Sequence, residues 1–409
     1  GFELTVKPSL SFSQNKSFDL VDNTSYYSSK YAYIWGYGND IGADAPQRFG
    51  DSSFWTFDWG DTEIRWTWHR FTVGFGTQSP WVGPAWLNPV LHSNNAASYP
   101  KIDFGLRKTE IHMPYFGWNI GVIEGRIWTG YLSESDYFDS DSTNNHNMFH
   151  GLSLSYSPVF VPGLTLGLNR VCLAKWELES IRYAVPTTNN THIGEAGKGE
   201  DQKMSLTMDW LFPKVGFEVY GELGMDDGKP FGNYLRSAVY TVGLKKTIPI
   251  SKRHNISGEL ILEWNNTEMT QDFQFQWPYS FGFHYQVTQG YTNKGQWLGS
   301  GQGYGGESRM IGFKVYHKYG NTLLFYQRAN IDSNYIYSKA INSTAADSVL
   351  DTAWPIRFYK IMGITNGNFI AKNFFMSESI FYNDIRHYLY REHTSLNNFT
   401  FQLLLKYQF

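Results

Sequence analysis

The sequence predicts an all-β fold, a transmembrane antiparallel β-barrel of about eighteen strands with long extracellular loops and short periplasmic turns. Three observations support it. Apolar and polar residues alternate in segments along the whole chain, the connections between segments alternate between short and long, and aromatic residues make up 18% of the chain. Strict alternation is typical of strands whose two faces meet different media.

The alternating segments run from the first residues of the chain to its end. Examples are Trp118-Ile120-Val122, Leu164-Leu166-Leu168, Met204-Leu206-Met208-Trp210, Ile256-Gly258-Leu260-Leu262-Trp264 and Phe273-Phe275-Trp277. With the early segments 3–12 and 27–36 the candidates number about nineteen, whereas single-chain barrels carry an even number of strands. We therefore expect eighteen strands, and expect one early segment not to be a strand.

The connections divide into two kinds. Short ones are predicted at His69-Arg70, Phe212-Pro213-Lys214, Lys318-Tyr319-Gly320-Asn321 and Thr365-Asn366-Gly367-Asn368, and long polar ones at 78–100, 133–147, 176–202, 291–306 and 332–352. The last segment should pair with the first strand, because a barrel leaves no open edge in hydrocarbon. Its alternate residues should face lipid: Phe399, Phe401, Leu403, Leu405, Tyr407 and Phe409.

Composition narrows the class of protein. The net charge is −3 and only 17% of residues are charged, so the chain lacks the concentrated basic surface of a nucleic-acid-binding protein. No apolar stretch is long enough for a membrane-spanning helix, and the mean hydropathy of −0.40 fits a barrel that alternates lipid-facing and lumen-facing residues. The chain begins at Gly1, so we expect a mature chain whose export signal has been removed. A soluble sandwich or propeller is less favoured, since no internal period is evident.

The least usual stretch is the connection 78–100, hereafter the motif loop, which carries three prolines and two tryptophans between Ser79 and Ala96. Prolines restrict the backbone, so the loop should be ordered. One interpretation is a structural plug in the barrel mouth. The other is a sugar-binding platform, in which tryptophan rings stack on pyranose faces and asparagines pair with hydroxyls. Both stay open on the residues alone.

Two runs in this loop carry a resemblance to a known family. Trp81-Val82-Gly83-Pro84-Ala85-Trp86 and Leu91-His92-Ser93-Asn94-Asn95-Ala96 resemble the Wzi capsule-assembly motif, roughly Trp-Trp-Gly-Pro-Gly-Trp followed by Leu-x-x-Ser-x-Asn-Ala. Val82 and Ala85 replace the family's second Trp and second Gly. The runs from Glu222 to Asp227 and from Leu298 to Ser308 are weaker echoes. The resemblance implies an eighteen-stranded barrel with a non-enzymatic role in binding capsular polysaccharide at the cell surface.

The leading hypothesis is therefore a single outer-membrane barrel domain, 1–409, that binds surface polysaccharide without cofactor, metal or catalytic residues. The expected ligand-binding residues are Trp81, Trp86, Asn88, His92, Asn94 and Asn95, with Trp297 and Tyr304 as second choices. Expected partners are capsular or other surface polysaccharide, outer-membrane lipid and other outer-membrane proteins, with no nucleic acid. The alternatives are a diffusion porin or small-molecule transporter, and a structural subunit of a larger outer-membrane complex.

Other patterns have simpler explanations. Gly301 to Gly306 spells G-x-G-x-x-G, but a strand rather than a helix should follow, which excludes a dinucleotide site. The run from Asp139 to Asn145 resembles half of a calcium loop, and we interpret it as a solvated polar loop. His146 and His150 have no evident third metal ligand. Glu218, Glu222, Glu259 and Glu263 fit a polar lumen.

Overall fold

The computed structural model describes residues 1–21, 29–35, 42–186, 199–226, 237–270, 281–331, 333–336 and 357–407. Short 3-10 helices occupy Leu178–Ala184 and Pro213–Val215, and no described helix has the length and apolar character needed to cross a membrane. The described strands are β1 Phe2–Thr5, β2 Ser9–Ser13, β3 Phe54–Asp58, β4 Glu63–Trp68, β5 Phe71–Gly76, β6 Lys101–His112, β7 Asn119–Ser133, β8 His146–Pro158, β9 Leu164–Lys175, β10 Glu200–Phe212, β11 Phe217–Asp226, β12 Val239–Ser251, β13 Ile256–Asn266, β14 Thr292–Asn293, β15 Gln296–Trp297, β16 Glu307–His317, β17 Gly320–Asn330, β18 Phe358–Ala371, β19 Phe374–Arg386 and β20 Ser395–Tyr407.

One large antiparallel sheet dominates the fold, which confirms the predicted architecture. Sixteen of the described strands belong to it, in the order β1-β4-β5-β6-β7-β8-β9-β10-β11-β12-β13-β16-β17-β18-β19-β20, against about eighteen predicted. Two small sheets, β2-β3 and β14-β15, hold the other four. The pair β2-β3 continues β1 and β4 beyond a break at the Lys7–Gly60 bridge. Gly60 has φ 56°, and a Cβ there would lie 2.4 Å from the Lys7 carbonyl oxygen, so the break requires glycine.

The outer face of the sheet is apolar because alternate side chains point to it. On β4, Ile64, Trp66 and Trp68 are 49, 43 and 57% exposed, whereas Glu63 on the opposite face is buried. On the last strand the predicted lipid-facing residues Phe399, Phe401, Leu403, Leu405 and Tyr407 are exposed, but so are the intervening residues Gln402, Leu404 and Lys406, so exposure does not distinguish the two faces of this strand. Phe409 lies outside the described residues. The expected ladder between the last strand and the first is not present among the residues described, where β20 pairs with β19 and β1 pairs with β4.

The inner face encloses a core built largely from connections rather than strands. Its buried aromatic members include Tyr33, Trp35, Phe281, Phe283, Tyr291, Trp297, Tyr304 and Tyr335. The early segment 27–36, taken above as a strand candidate, contributes here, since its described part 29–35 forms turns and bends. Its aromatic rings pack inward, with Tyr33 edge-on to Phe283 at 5.9 Å and to Trp297 at 5.7 Å. Alternation in that segment therefore reflects interior packing.

The short connections match the prediction at three of four places. The turn predicted at Thr365-Asn366-Gly367-Asn368 is wrong, because β18 continues through it to Ala371 and turns at Lys372-Asn373. The four residues of the predicted turn, 365–368, pair with residues of β17. A Cβ on Gly367 would lie 2.7 Å from the Phe375 ring. The Asn-Gly pair is thus a strand interior that accommodates an aromatic ring. Of the predicted segment Phe273-Phe275-Trp277, no residue lies within the described part of the chain.

Candidate functional site

The motif loop crosses the interior of the sheet. It leaves β5 and returns to β6, yet it contacts glutamates on β11 and β13, which lie six and eight positions from β5 in the strand order. Neighbouring strands are spaced by about 4.8 Å, so eight positions would span roughly 38 Å in a flat sheet. The sheet must therefore curl until β5 and β13 face each other across the loop.

Glu263 on β13 fixes the middle of the loop. Its carboxylate oxygens accept three consecutive backbone N–H groups, from Trp86, Leu87 and Asn88, at 2.7, 3.0 and 2.8 Å. The Tyr220 hydroxyl donates a fourth bond to the same carboxylate at 2.9 Å. Charge-assisted bonds of this kind are stronger than those between neutral groups. Because the acceptor belongs to the wall and the donors to the loop, the loop has a fixed height and orientation.

Glu222 on β11 fixes the following residues. Its Oε2 accepts the Val90 N–H at 2.8 Å, and the side chain is almost fully buried. Two tyrosines satisfy the adjacent carbonyls: the Tyr304 hydroxyl donates to Val90 O at 2.7 Å, and the Tyr291 hydroxyl donates to Leu91 O at 2.8 Å. Every contact joins the loop to a distant part of the chain, as buried backbone groups need partners.

His92 is a structural residue of the loop. Its Nδ1 lies 2.6 Å from Pro80 O and its Nε2 lies 2.8 Å from the Tyr99 hydroxyl. This network assigns the neutral tautomer with Nδ1–H donating and Nε2 accepting. Burial lowers the pKa of His92 to about 4, so the ring stays neutral at physiological pH. A further bridge, Val82 N–H to His92 O at 3.0 Å, closes the loop on itself.

The later glycine-rich segment packs on the motif loop. Asn95 Nδ2 donates to Trp297 O at 2.9 Å, and Ser93 Oγ donates to Gly299 O at 2.6 Å. Trp297 meets Tyr304 edge-on, with ring centroids 5.4 Å apart. Gly303 has φ 86°, and a Cβ there would lie 2.6 Å from the Trp297 ring nitrogen. The glycines therefore allow aromatic rings to pack closely, and β16 follows directly.

The structure brings the eight predicted site residues into one region but divides them by exposure. Four are buried with protein partners and present no open face: Asn88, His92, Trp297 and Tyr304, at 3, 1, 8 and 0% exposure. Asn94 and Asn95 are exposed, Trp86 is half-buried, and Trp81 is 44% exposed. The buried group holds the loop together through hydrogen bonds and packing, whereas the second group has side-chain surface that is not covered by described parts of the protein.

The exposed side of Trp81 faces a cavity of about 580 Å³, hereafter the lumenal cavity, bounded by the motif loop and by inward-facing residues of β1 and β4 to β8. Its wall is fixed by a network of ions. Arg65 donates to Glu63 at 2.8 and 2.7 Å and to Asp103 at 2.9 and 2.8 Å. Lys101 Nζ lies 3.7 Å from Asp103 and 3.9 Å from Glu63. These charges hold the wall and are already engaged.

Metal binding has no support in the described parts of the chain, where no three His, Cys, Asp or Glu side chains are grouped to hold an ion. In the loop that resembles half of a calcium site, Asp139 accepts the Asp141 N–H and Asp141 accepts the Thr143 N–H, both at 2.9 Å. His150 contacts Thr129 and Ser180 on the face of β8 opposite to Phe149, which packs in the interior core. These groups are used within the fold.

Sequence reasoning assigned Glu222 and Glu263 only to a polar lumen and missed their part in the site. A signal existed. The run from Trp86 to Val90 has no strand partner, so its consecutive amides require acceptors from elsewhere. Carboxylates on inward-facing strand positions are the strongest acceptors available. Which glutamates serve could not be read from the sequence, since they follow 132 to 177 residues later.

Comparison with known proteins decides the family. The family model described as capsule assembly protein Wzi matches residues 20–343, which is most of the chain. The protein belongs to the Wzi capsule assembly family. A search of curated proteins gave no match.

Among solved structures, the fold of this Wzi family member is similar to that of Wzi from Escherichia coli, described as an outer-membrane protein involved in group 1 capsule assembly and a carbohydrate-binding β-barrel. The TM-score is 0.61 at 13% sequence identity, and the match covers 97% of this chain and 81% of that one. At that identity the likeness establishes the fold.

Proposed function

We propose that this protein is a non-enzymatic outer-membrane β-barrel of capsule assembly, which binds surface polysaccharide on the motif loop. The observation that carries the proposal is the way the loop is held. Backbone groups of Trp86 to Leu91 are bound to the barrel wall and to buried tyrosines, while Trp81, Asn94 and Asn95 stay exposed. A rigid loop with exposed aromatic and amide groups is suited to recognition with little loss of entropy.

The proposal assigns the whole chain, 1–409, to one barrel domain and gives the motif loop two roles. Its buried residues make it a plug in the barrel interior, and its exposed residues make it a binding platform. The two interpretations left open by the sequence are thereby combined. Capsular or another surface polysaccharide is the proposed ligand, and outer-membrane lipid covers the apolar outer face.

Binding would depend on many weak contacts. A tryptophan ring offers an apolar face for the C–H groups of a pyranose, and asparagine amides offer both donors and acceptors for its hydroxyls. Each sugar contributes little, so a polymer with repeated units binds through the high effective concentration of its next unit. Short fragments of the same polysaccharide should therefore bind much more weakly than the polymer.

The test uses the detergent-solubilised barrel and purified capsular polysaccharide in an affinity gel. We expect Trp81→Ala and Trp86→Ala each to weaken retention by about tenfold, because each removes a stacking face. Trp68→Ala is the matched control, since Trp68 is 57% exposed on the outer face of the sheet, opposite to the face that surrounds the loop. Retention of both loop variants at the wild-type level would refute the assignment.

A further inference from the structure

The lumenal cavity has the position of a second binding site. Pro80, Trp81 and Val82 of the motif loop form one side of it. Other lining residues lie near the short-turn end of the sheet: Thr67 and Thr72 flank the His69-Arg70 turn, and the Arg107 N–H donates to Arg70 O at 2.7 Å. The cavity therefore lies between the loop and the short turns. Asn94 and Asn95 do not line it.

The cavity offers a fixed aromatic face. Trp81 Nε1 donates to Ala85 O at 3.0 Å, so the indole is held by its own loop while 44% of the side chain is exposed. Ser153 and Ser155 on β8 line the same space and supply hydroxyls. A volume of about 580 Å³ falls within the range of small-molecule sites, roughly 300–1,000 Å³.

The charges in the cavity are incompletely paired. Arg107 forms no ion pair with any residue that the structure describes, and its guanidinium is exposed. Arg126 has one loose contact, its Nε 3.5 Å from Asp103, while Asp103 is already bound by Arg65. Glu124 lies two residues before Arg126 on β7. It is exposed and likewise has no ion-pair partner among the described residues. Guanidinium groups bind carboxylates in a bidentate manner, and free carboxylates accept hydroxyl hydrogens.

We infer that the lumenal cavity binds an acidic saccharide from the short-turn side of the motif loop. A pyranose ring stacks on Trp81, its carboxylate meets Arg107 and Arg126, and its hydroxyls meet Glu124 and the β8 serines. A neutral saccharide lacks the carboxylate and would leave Arg107 without a counter-charge and Arg126 with only its loose contact to Asp103. The inference rests on the proposed function in one respect, the saccharide nature of the ligand. It adds a second site, which shares only Trp81 with the exposed part of the motif loop, and a preference for charge.

The first experiment locates the ligand by protection of a cysteine. Ser155→Cys places a thiol in the cavity, Ser142→Cys places one on the exposed connection between β7 and β8, outside both the cavity and the motif loop, and native Cys172 is fully buried. The barrel in detergent is labelled with a maleimide in the presence of tetragalacturonate or of the same oligosaccharide with its carboxylates reduced. We expect labelling of Ser155→Cys to be lost with tetragalacturonate only, and labelling of Ser142→Cys to be unchanged.

The second experiment measures the charge preference by calorimetry. Arg126→Gln should weaken tetragalacturonate binding by about tenfold and leave binding of the reduced oligosaccharide unchanged. Folding should be retained, because Asp103 keeps its bonds from Arg65. Lys314→Gln is the matched control. Lys314 on β16 lies opposite Glu259 in the strand register, so its side chain is on the same inner face as Glu263. It does not line the cavity. It should change neither affinity.

The outcomes separate this inference from the proposed function. Equal protection by the acidic and reduced oligosaccharides, or unchanged labelling of Ser155→Cys with both, overturns the inference. If the affinity gel still retains wild-type barrel on polysaccharide in that case, the proposed function stands without the cavity. If the affinity gel does not retain the wild-type barrel, the proposed function is wrong. Selective protection of Ser155→Cys would in that case still support an acidic-saccharide site.

Discussion

At the scale of single residues, Glu263 has the largest effect on the motif loop. It is 4% exposed, and its carboxylate holds three loop amides and the Tyr220 hydroxyl. An amide left without an acceptor in a buried site costs about 1–3 kcal/mol. The charge of one side chain on β13 therefore influences the conformation of a segment that begins nearly two hundred residues earlier in the sequence.

Replacement of Glu263 by glutamine should lower the free energy of unfolding by roughly 2–4 kcal/mol, because the amide keeps one acceptor oxygen and loses the charge. Glu259→Gln is the control on the same strand and face, where the carboxylate accepts the Tyr316 hydroxyl at 2.9 Å and no other hydrogen bond from the described residues. The measurement is urea unfolding in detergent, with proteolysis of the motif loop as a second readout. Equal stability of the two variants would contradict the assigned role of Glu263.

A buried acidic group in the connection after β7 gives the fold a pH dependence. Asp44 accepts bonds from the Ser135 N–H and hydroxyl, both at 2.6 Å, and thereby joins the segment before β3 to this connection. Glu134 lies beside it, and its buried Oε1 has no hydrogen-bond partner among the residues described. Burial, followed by the negative charges of Asp139, Asp44 and Asp141, raises the pKa of Glu134 to about 9.

The sign of the effect follows from this raised pKa. Protonated Glu134 stabilises the fold fully below its ordinary pKa of 4.5, and that stability is lost as the pH rises towards 9. Glu134→Gln should therefore raise the thermal midpoint at pH 9 and leave it nearly unchanged at pH 4. The control is Glu392→Gln at an exposed loop position. Parallel pH profiles for wild type and Glu134→Gln would rule out this account.

At the scale of elements, an ion triad joins two strand ends to the core segment after β13. Lys203 on β10 donates to Asp201 at 2.6 Å and to Asp226 on β11 at 3.0 Å, and its side chain is fully buried. The same ammonium lies 5.0 Å from the Phe281 ring and 5.5 Å from the Tyr291 ring. The charge of Lys203 therefore connects β10, the end of β11 and the interior segment that contains Phe281 and Tyr291.

Lys203→Met should be strongly destabilising, because it leaves two buried carboxylates without their cation. Breaking a buried ion pair in this way costs about 3–5 kcal/mol. Lys245→Met is the comparison, since both side chains of its pair with Glu218 are 20% exposed, and a pair that retains contact with solvent should cost less to break than a fully buried one. Chemical unfolding of both variants in detergent measures the difference. Similar losses in the two would show that the triad has no special role.

Most strands were predictable because alternation is a local property of the sequence. It located β7, β9, β10 and β13. The register between β9 and β10 is unbroken, whereas β7 and β13 pair across bulges with β6 and β12. Alternation was misleading at Tyr33 and Trp35, where the same pattern arises from packing in the interior core. The turn predicted at Asn366-Gly367 was wrong because Gly367 makes room there for an aromatic ring. For the site, residue types indicated which side chains suit a saccharide. Their exposure depends on distant glutamates and tyrosines, which no local pattern reveals.

At the scale of the whole molecule, the interior is occupied. The motif loop, the segment 29–35 and the segment 281–306 share one buried hydrophobic core inside the curved sheet. Where this core is packed it leaves little room for water, so the lumenal cavity beneath the motif loop does not continue as the open lumen of a diffusion porin.

The porin alternative can be tested by conductance. Wild-type protein in a planar lipid bilayer should show no stable open-channel steps, because the interior core blocks the path of ions. The double variant Glu222→Ala/Glu263→Ala releases the loop from both wall contacts and should produce irregular, flickering conductance. Circular dichroism of the variant serves as the control for an intact sheet. Large, stable steps from the wild type would favour a porin over a plugged binder.

The wall contacts of the motif loop also set an order of events in assembly. All residues of the motif loop precede β6 in the sequence, but the carboxylates that accept its hydrogen bonds lie on β11 and β13. Glu263 follows Trp86 by 177 residues. Contacts between such distant positions form slowly. A nascent barrel that stalls before β13 would hold a loop with unsatisfied amides. The motif loop can therefore reach its final conformation only late in assembly, after β11 and β13 have formed on the opposite side of the sheet.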